Sequence, residues 1–262
     1  MMGRTHALAG VIGALAAQPL LADYVAPHMG ISHAAAMGPG ATLLMAIGGA
    51  GGAMLPDMDH RHATIAHALG PITKVLCIGV GAISGGHRNG THSFLGIAAF
   101  TALSWGLCGL GGWPAMIWAG FVLAIGSAAL HLKFSKKSAA VHTLICLLGC
   151  VALWRAGVSG HMDLRMLTGG VMVGAATHVV FPTDILTREG CPLLWPVSKR
   201  RFHLASLTTD HLAEHTIVSW SLVGALVATV LWRAGYLGDA VSAVRPLWDT
   251  IMPSGPRPGR RR

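Results

Sequence analysis

The stretch Ile72-Thr73-Lys74-Val75-Leu76-Cys77-Ile78-Gly79-Val80-Gly81-Ala82-Ile83-Ser84 decides how this chain is threaded. It is apolar and carries Lys74, but it is only about a dozen residues long, where a bilayer-spanning helix needs roughly 20. It therefore reads as an interfacial or re-entrant segment. Leu55-Pro56-Asp57-Met58-Asp59-His60 stands before it, and His87-Arg88-Asn89-Gly90-Thr91-His92-Ser93 after it. If the segment crossed, these two polar runs would lie on opposite faces of a membrane. If it turns back, they share one face.

The solvent around the stretch follows from composition. Of 262 residues, 53% are hydrophobic, 35 are glycine and only 11% are Asp, Glu, Lys or Arg. A soluble domain carries roughly 25% charged residues. So few charges cannot cover a globule, so a bilayer is favoured over a very hydrophobic soluble core. Candidate spans are Leu8–Ala22, Ala41–Leu55, Phe94–Leu110, Trp113–Leu132, Ala139–Trp154, Arg165–Phe181 and Thr216–Trp232. The fold class expected is all-α, a polytopic helical membrane protein with about six to eight transmembrane helices. Residues 1–240 read as a single membrane-embedded helical domain, and 241–262 as a C-terminal segment with a basic tail. Gly48-Gly49-Ala50-Gly51-Gly52 and the run from Gly169 to Gly174 suit close helix packing in lipid. As phosphate loops they fail, because no strand precedes them and no GxxxxGK follows.

The charges test the threading. Arg4, Arg61, Lys74 and Arg88 fall on one side, with Lys133, Lys136, Lys137, Arg188, Lys199, Arg200 and Arg201. The opposite loops hold Asp23, Arg155 and Asp163 among Gly, Ser and Pro. Positive loops stay inside, which predicts a cytoplasmic N-terminus and cytoplasm-facing polar runs. The tail Arg257, Arg260, Arg261 and Arg262 departs from this, since seven spans would put it outside. A net charge of +9 held in short loops beside apolar spans points to topology and anionic headgroups, not to direct nucleic-acid binding. No cleavable signal peptide is expected. Cys77, Cys108, Cys146, Cys150 and Cys191 show no CxxC spacing and no disulfide framework.

Polar residues collect at the predicted inner helix ends. His6 opens the first helix; Asp57, Asp59 and His60 close the second. His87 and His92 open the third, and His178 and Asp184 close the sixth. Charged groups at membrane depth are costly and call for a reason, and a cation supplies one. Imidazole and carboxylate suit Zn, Mn, Fe or Mg. The expected cofactor is a divalent metal ion, one or two per chain, drawn from a ligand pool of His6, Asp57, Asp59, His60, His87, His92, His178 and Asp184. Simpler readings stand beside this one. Asp57 and Asp59 can end a helix in an Asx turn, Thr91 and Ser93 can cap the next helix, and Arg88 can anchor a loop to lipid headgroups. His62 and His67 read as interfacial histidines.

A second spacing, His211-Leu212-Ala213-Glu214-His215, fits the H-x-x-E-H pattern of inverted zinc proteases. Such enzymes need a further downstream carboxylate, and the chain has only Glu189 and Glu214 besides its aspartates. Glu214 reads better as a group serving the main cluster.

Laid out in this way, the chain resembles the YdjM-like family of bacterial inner-membrane proteins assigned as metal-dependent hydrolases. Gly3-Arg4-Thr5-His6 with Gly10, Leu55 to His60, and Gly85-Gly86-His87 to Ser93 carry the resemblance. So does the block from Thr183-Asp184-Ile185-Leu186-Thr187 to Gly190-Cys191-Pro192-Leu193-Leu194-Trp195-Pro196. The resemblance implies a multi-helix bacterial inner-membrane protein with hydrolase activity. For some members it also implies a transcriptional repressor and the DNA-damage response. Related chains place a His four residues before the Asp of the last block; here Val180 holds that place and His178 lies six before, with Pro182 between.

The function expected is metal-assisted hydrolysis, acting on an ester or phosphoester of an amphipathic, lipid-like substrate at the cytoplasmic face. Asp59 or Glu214 would be the general base, and Arg88, Thr91 and Ser93 would hold an anionic part of the substrate. The alternative is a membrane-anchored regulatory or interaction protein whose polar cluster is structural. A transporter is disfavoured, because the helix centres are nearly free of acids and lysines.

Overall fold

In a computed structural model the described residues are 3–132, 138–155, 163–180, 183–204, 224–225 and 227–231. Among them the chain is helical and has no strand. The helices are α1 (Gly3–Tyr24), α2 (His33–Met37), α3 (Pro39–Gly52), α4 (Pro71–Ile83), α5 (Phe94–Leu110), α6 (Gly112–Ala129), α7 (Ala139–Arg155) and α8 (Arg165–Val179). Three stretches, Gly3–Tyr24, Gly112–Ala129 and Arg165–Leu186, are long and apolar enough to cross a membrane. Pro71–Ile83, Phe94–Leu110 and Ala139–Arg155 are shorter apolar helices. Outward side chains such as Leu103, Trp105, Trp113, Ile117, Leu144 and Leu148 are exposed, as expected of a surface that faces lipid.

Helix boundaries follow local chemistry. Pro39 and Pro71 open α3 and α4, at the position where a missing N–H costs nothing. Ser93 caps α5 by accepting the Gly96 N–H at 3.2 Å. Gly111, at φ 64°, lets α5 stop and α6 begin at once.

The bundle is built around α3, which is sheathed by α1, α6 and α8. Its glycines make this possible. A Cβ at Gly48 would stand 2.5 Å from the Leu167 carbonyl oxygen and 2.9 Å from the Gly170 Cα of α8. One at Gly52 would stand 2.5 Å from the Val171 carbonyl oxygen. Gly49 is pressed by the Gly10 backbone of α1, and Gly51 by that of Val122 in α6. Backbones this close replace the hydrophobic drive that lipid removes.

Two features differ from the sequence reading. The expected span Ala41–Leu55 is the 14-residue α3, about 21 Å long, which ends at Gly52. Enclosed by its neighbours, it has little lipid to match, and its early end leaves room for a turn carrying Asp57 and Asp59. The short α2 and a 3-10 turn at Ala26–Met29, which the pattern did not suggest, fill the loop between α1 and α3. Most of Thr216–Trp232, and all of residues 241–262, lie outside the described residues.

The deciding stretch turns back. At 13 residues α4 is about 20 Å long, short of a hydrocarbon core of about 30 Å. Its Thr73 hydroxyl donates to the Ala66 carbonyl at 3.0 Å, and the Gly90 N–H donates to the Ser84 carbonyl at 2.9 Å. His87, after α4, lies 2.8 Å from Asp59, before it, so the chain leaves α4 at the end of the bundle where it entered. Ile72, Val75, Ile78 and Ile83 remain exposed along α4, an apolar face for lipid. The Asp57–His60 and His87–His92 runs meet there, with the starts of α1 and α5 and the ends of α3 and α8.

Substitution should separate packed from idle glycines. Gly48→Leu should destabilise the detergent-solubilised protein by about 1–3 kcal/mol or more, through overpacking against α8. Gly106→Ala, whose methyl group meets open space, should leave the unfolding temperature unchanged. Thermal unfolding followed by a cysteine-reactive dye, with buried Cys77 and Cys108 as reporters, measures both.

Candidate metal centre

Four segments carry the polar side chains to one point. His6 sits on the first turns of α1 and is buried. Pro56 opens a 3-10 turn, Pro56–Asp59, which separates Asp57 and Asp59 by one residue in a tight bend. The Gly90–His92 turn leads into α5. Its Gly90 has no room for a side chain, since a Cβ there would lie 3.0 Å from the Trp195 ring and 3.1 Å from Ser84. His178 ends α8. The Thr183 hydroxyl then donates to the Thr177 carbonyl at 2.7 Å or the His178 carbonyl at 2.5 Å, satisfying acceptors the helix leaves bare. Asp184 follows directly.

The side chains form two sets of potential ligands, each with donor atoms within 4.8 Å of one another. One is His6, His178 and Asp184; the other is Asp57, His87 and His92. The sets adjoin. Asp184 Oδ2 lies 3.4 Å from both His92 Nε2 and His178 Nε2. Asp57 Oδ1 lies 3.8 Å from His92 Nε2 and 3.7 Å from His178 Nε2. His6 Nε2 is 3.6 Å from Asp184 Oδ1, and the His6 and His178 rings stack at 3.7 Å. His6 Nδ1, His92 Nε2 and His178 Nε2 are buried with no hydrogen-bond partner among the described residues. Buried polar nitrogens left bare are costly. Lone pairs converging beside carboxylates suit a divalent cation.

The far sides of the His178, His87 and His92 rings are held, as is usual for metal-binding histidines. His178 Nδ1 donates to the Ala53 carbonyl. His87 Nδ1 donates to Asp59 Oδ1 at 2.8 Å. His92 Nδ1 lies 3.0 Å from the Thr91 hydroxyl, which donates to Asp59 Oδ2 at 2.5 Å. The Arg88 N–H also donates to Asp59 Oδ2, at 2.9 Å, from a backbone at φ 57°. The Arg88 guanidinium is buried and donates to Asp184 Oδ1 at 3.2 Å and to the Thr187 hydroxyl at 3.0 Å. The last polar block therefore clamps to the second. Cys191 and Phe202 pair by backbone hydrogen bonds of 3.0 and 2.9 Å, and the Phe94 N–H donates to the Leu193 carbonyl at 3.0 Å.

These contacts set the protonation of the turns. Burial alone lowers the affinity of His92 for a proton, but the Asp184 and Asp59 carboxylates outweigh it and raise its pKa to about 9. Burial alone would raise the Asp59 carboxyl. Hydrogen bonding to His87, His92 and Thr91 prevails and holds it well below the usual carboxylate range.

Six of the eight expected ligands, His6, Asp57, His87, His92, His178 and Asp184, fall in the two sets. Asp59 does not: both of its oxygens are engaged by His87, Arg88 and Thr91, so it orients ligands and is poorly placed as a ligand or a general base. His60 also stays outside. Its ring lies against His87 at 4.6 Å, and its Nδ1 accepts the His62 N–H at 3.3 Å. The expected substrate clamp is consumed internally as well. Arg88 braces Asp184, Thr91 holds Asp59, and Ser93 caps α5 while donating to the Gly90 carbonyl at 2.6 Å. His178, despite lying six residues before Asp184, still reaches it. Glu214 and the His211–His215 pattern lie outside the described residues. Sequence reasoning did not find the Ala53 carbonyl or Thr187. A backbone acceptor leaves no residue-type signal, although Thr187 stood in the block already singled out.

A family model described as YdjM inner membrane protein matches residues 1–134, just over half of the chain. The chain belongs to this family. The matched part includes His6, Asp57, His87 and His92; His178 and Asp184 lie beyond it. No curated protein and no solved structure matches the chain. Membership of the YdjM family makes this an inner membrane protein, in keeping with its apolar helices.

Proton competition should govern cation uptake here. Without a cation, His92 holds its proton until the pH approaches about 9. A divalent cation binds only neutral imidazole. Affinity should therefore rise from pH 6 towards about pH 9, and uptake at neutral pH should release protons. Calorimetric titration of Zn²⁺ in two buffers of different ionisation enthalpy checks this; equal heats in both would contradict it.

Proposed function

We propose that the chain is a membrane-bound metal-dependent hydrolase acting on an ester or phosphoester of an amphipathic substrate at the cytoplasmic face of the inner membrane. The observation that carries this reading is the convergence of buried, unpartnered histidine nitrogens with Asp57 and Asp184, opening outward at one rim. At that rim the side chains of His87 and Asp57 are 39% and 19% exposed, whereas His92 and His178 are fully buried. A closed structural site has no such opening.

Each residue has a distinct task. His6, His178, Asp184, Asp57, His87 and His92 hold the cation. A divalent ion supplies Lewis-acid polarisation of a carbonyl or phosphoryl oxygen. Asp59 and Thr91 fix the rings of His87 and His92, and Arg88 fixes Asp184. Arg61, exposed beside His60 and His62, offers an anionic headgroup the positive charge that buried Arg88 cannot. The exposed cations Arg4, Arg61, Arg188, Lys199, Arg200 and Arg201 flank the site end, which supports a cytoplasmic orientation and a cytoplasmic N-terminus. The lipid-facing α4 beside the rim supports a substrate drawn from the bilayer.

Asp57→Ala and His92→Ala should each lose bound metal and turnover, measured by elemental analysis and by hydrolysis of carboxylester, phosphomonoester and phosphodiester lipids in mixed vesicles. Metal content unchanged in both variants would end the proposal. Metal retained by a wild-type protein that hydrolyses none of these lipids would favour the regulatory alternative with an inert site.

A further inference from the structure

We propose that the centre holds two inequivalent divalent cations: an inner one on His6, His178 and Asp184, and an outer one on Asp57, His87 and His92. The inference rests on the metal-dependent reading above and gives that site its internal division of labour.

The two sets share no residue, and each supplies two imidazoles and one carboxylate. That is already three protein ligands for each ion, the number common in catalytic zinc sites. A carboxylate of each set reaches towards the other. Asp57 Oδ1, from the outer set, lies 3.7 Å from His178 Nε2 of the inner set. Asp184 Oδ2, from the inner set, lies 3.4 Å from His92 Nε2 of the outer set. Two-ion hydrolytic sites have this arrangement, with carboxylates between cations about 3.5–4 Å apart. Each set also contains a buried histidine nitrogen with no hydrogen-bond partner among the described residues: His6 Nδ1 and His178 Nε2 in the inner set, His92 Nε2 in the outer.

The sets differ in burial. All three inner residues are at most 2% exposed, and they join the start of α1 to the end of α8. The outer set stands on the two turns flanking α4, with His87 and Asp57 at the opening. The inner cation is thus enclosed and exchanges slowly. The outer one has a face for water or substrate and exchanges readily.

The test uses the full chain purified in detergent and reloaded with Zn²⁺ or Mn²⁺. Elemental analysis should find two ions per chain. A soluble chromogenic chelator should remove them from wild-type protein in two phases of equal size, the outer ion first. His87→Ala should keep one ion. Reloaded with Mn²⁺, wild-type protein should give the electron paramagnetic resonance spectrum of a coupled pair, and His87→Ala that of an isolated ion. One ion per chain, or single-phase removal with an uncoupled spectrum, would overturn the proposal even if the protein hydrolyses lipid. Two ions in a protein that hydrolyses nothing would leave the proposal standing and remove the hydrolase reading instead.

Discussion

The close approach of three helix backbones to the glycines of α3 is the constraint on which the rest depends. Gly48 and Gly52 take the carbonyls of Leu167 and Val171, while Gly49 and Gly51 take the backbones of Gly10 and Val122. In lipid, apolar side chains gain little by leaving their solvent, so contact between backbones must supply the cohesion. This packing brings the start of α1 and the end of α8 to the end of α3, and with them His6, His178 and the Asp57–Asp59 turn. The polar centre is therefore a product of apolar packing, since its six candidate ligands come from four chain segments that have no other reason to meet.

Much of this was legible in the sequence, because the relevant physics is local. A helix too short for the bilayer, carrying Lys74, has to turn back, and the contact between Asp59 and His87 at 2.8 Å agrees. Polar residues confined to helix ends in so apolar a chain mark a common site, and Asp57, His87, His92, His178, His6 and Asp184 meet there. The individual roles were less legible. Arg88, Thr91 and Ser93 have the right chemistry for an anion, but each is used up by a partner that only tertiary structure defines: Asp184, Asp59 and the N-terminus of α5. Asp59 and Asp57 look equivalent one residue apart, yet the turn that separates them gives one to hydrogen bonding and leaves the other at the rim.

The supporting network is as extensive as the ligand sets. A carboxylate, a hydroxyl, a guanidinium and a main-chain carbonyl each fix one member. Such outer partners raise ligand basicity and limit ring motion, so a substitution at Asp59 or Arg88 would act on a bound cation indirectly. The network also explains how buried charge is tolerated near lipid. Arg88 is balanced by Asp184 and by Glu189 at 3.2 Å, and Asp59 by its hydrogen-bond donors.

The union of His6 with His178 and Asp184 has a consequence for biogenesis. Synthesis delivers His6 with α1 and Asp184 only after α8, so until α8 has emerged the first imidazole stands without its companions. The centre can close only when the last of these helices has been inserted and has docked on α3. A cation bound by both ends of the chain's path would then act as a late latch on the assembled bundle, and a chain arrested before α8 could not form it.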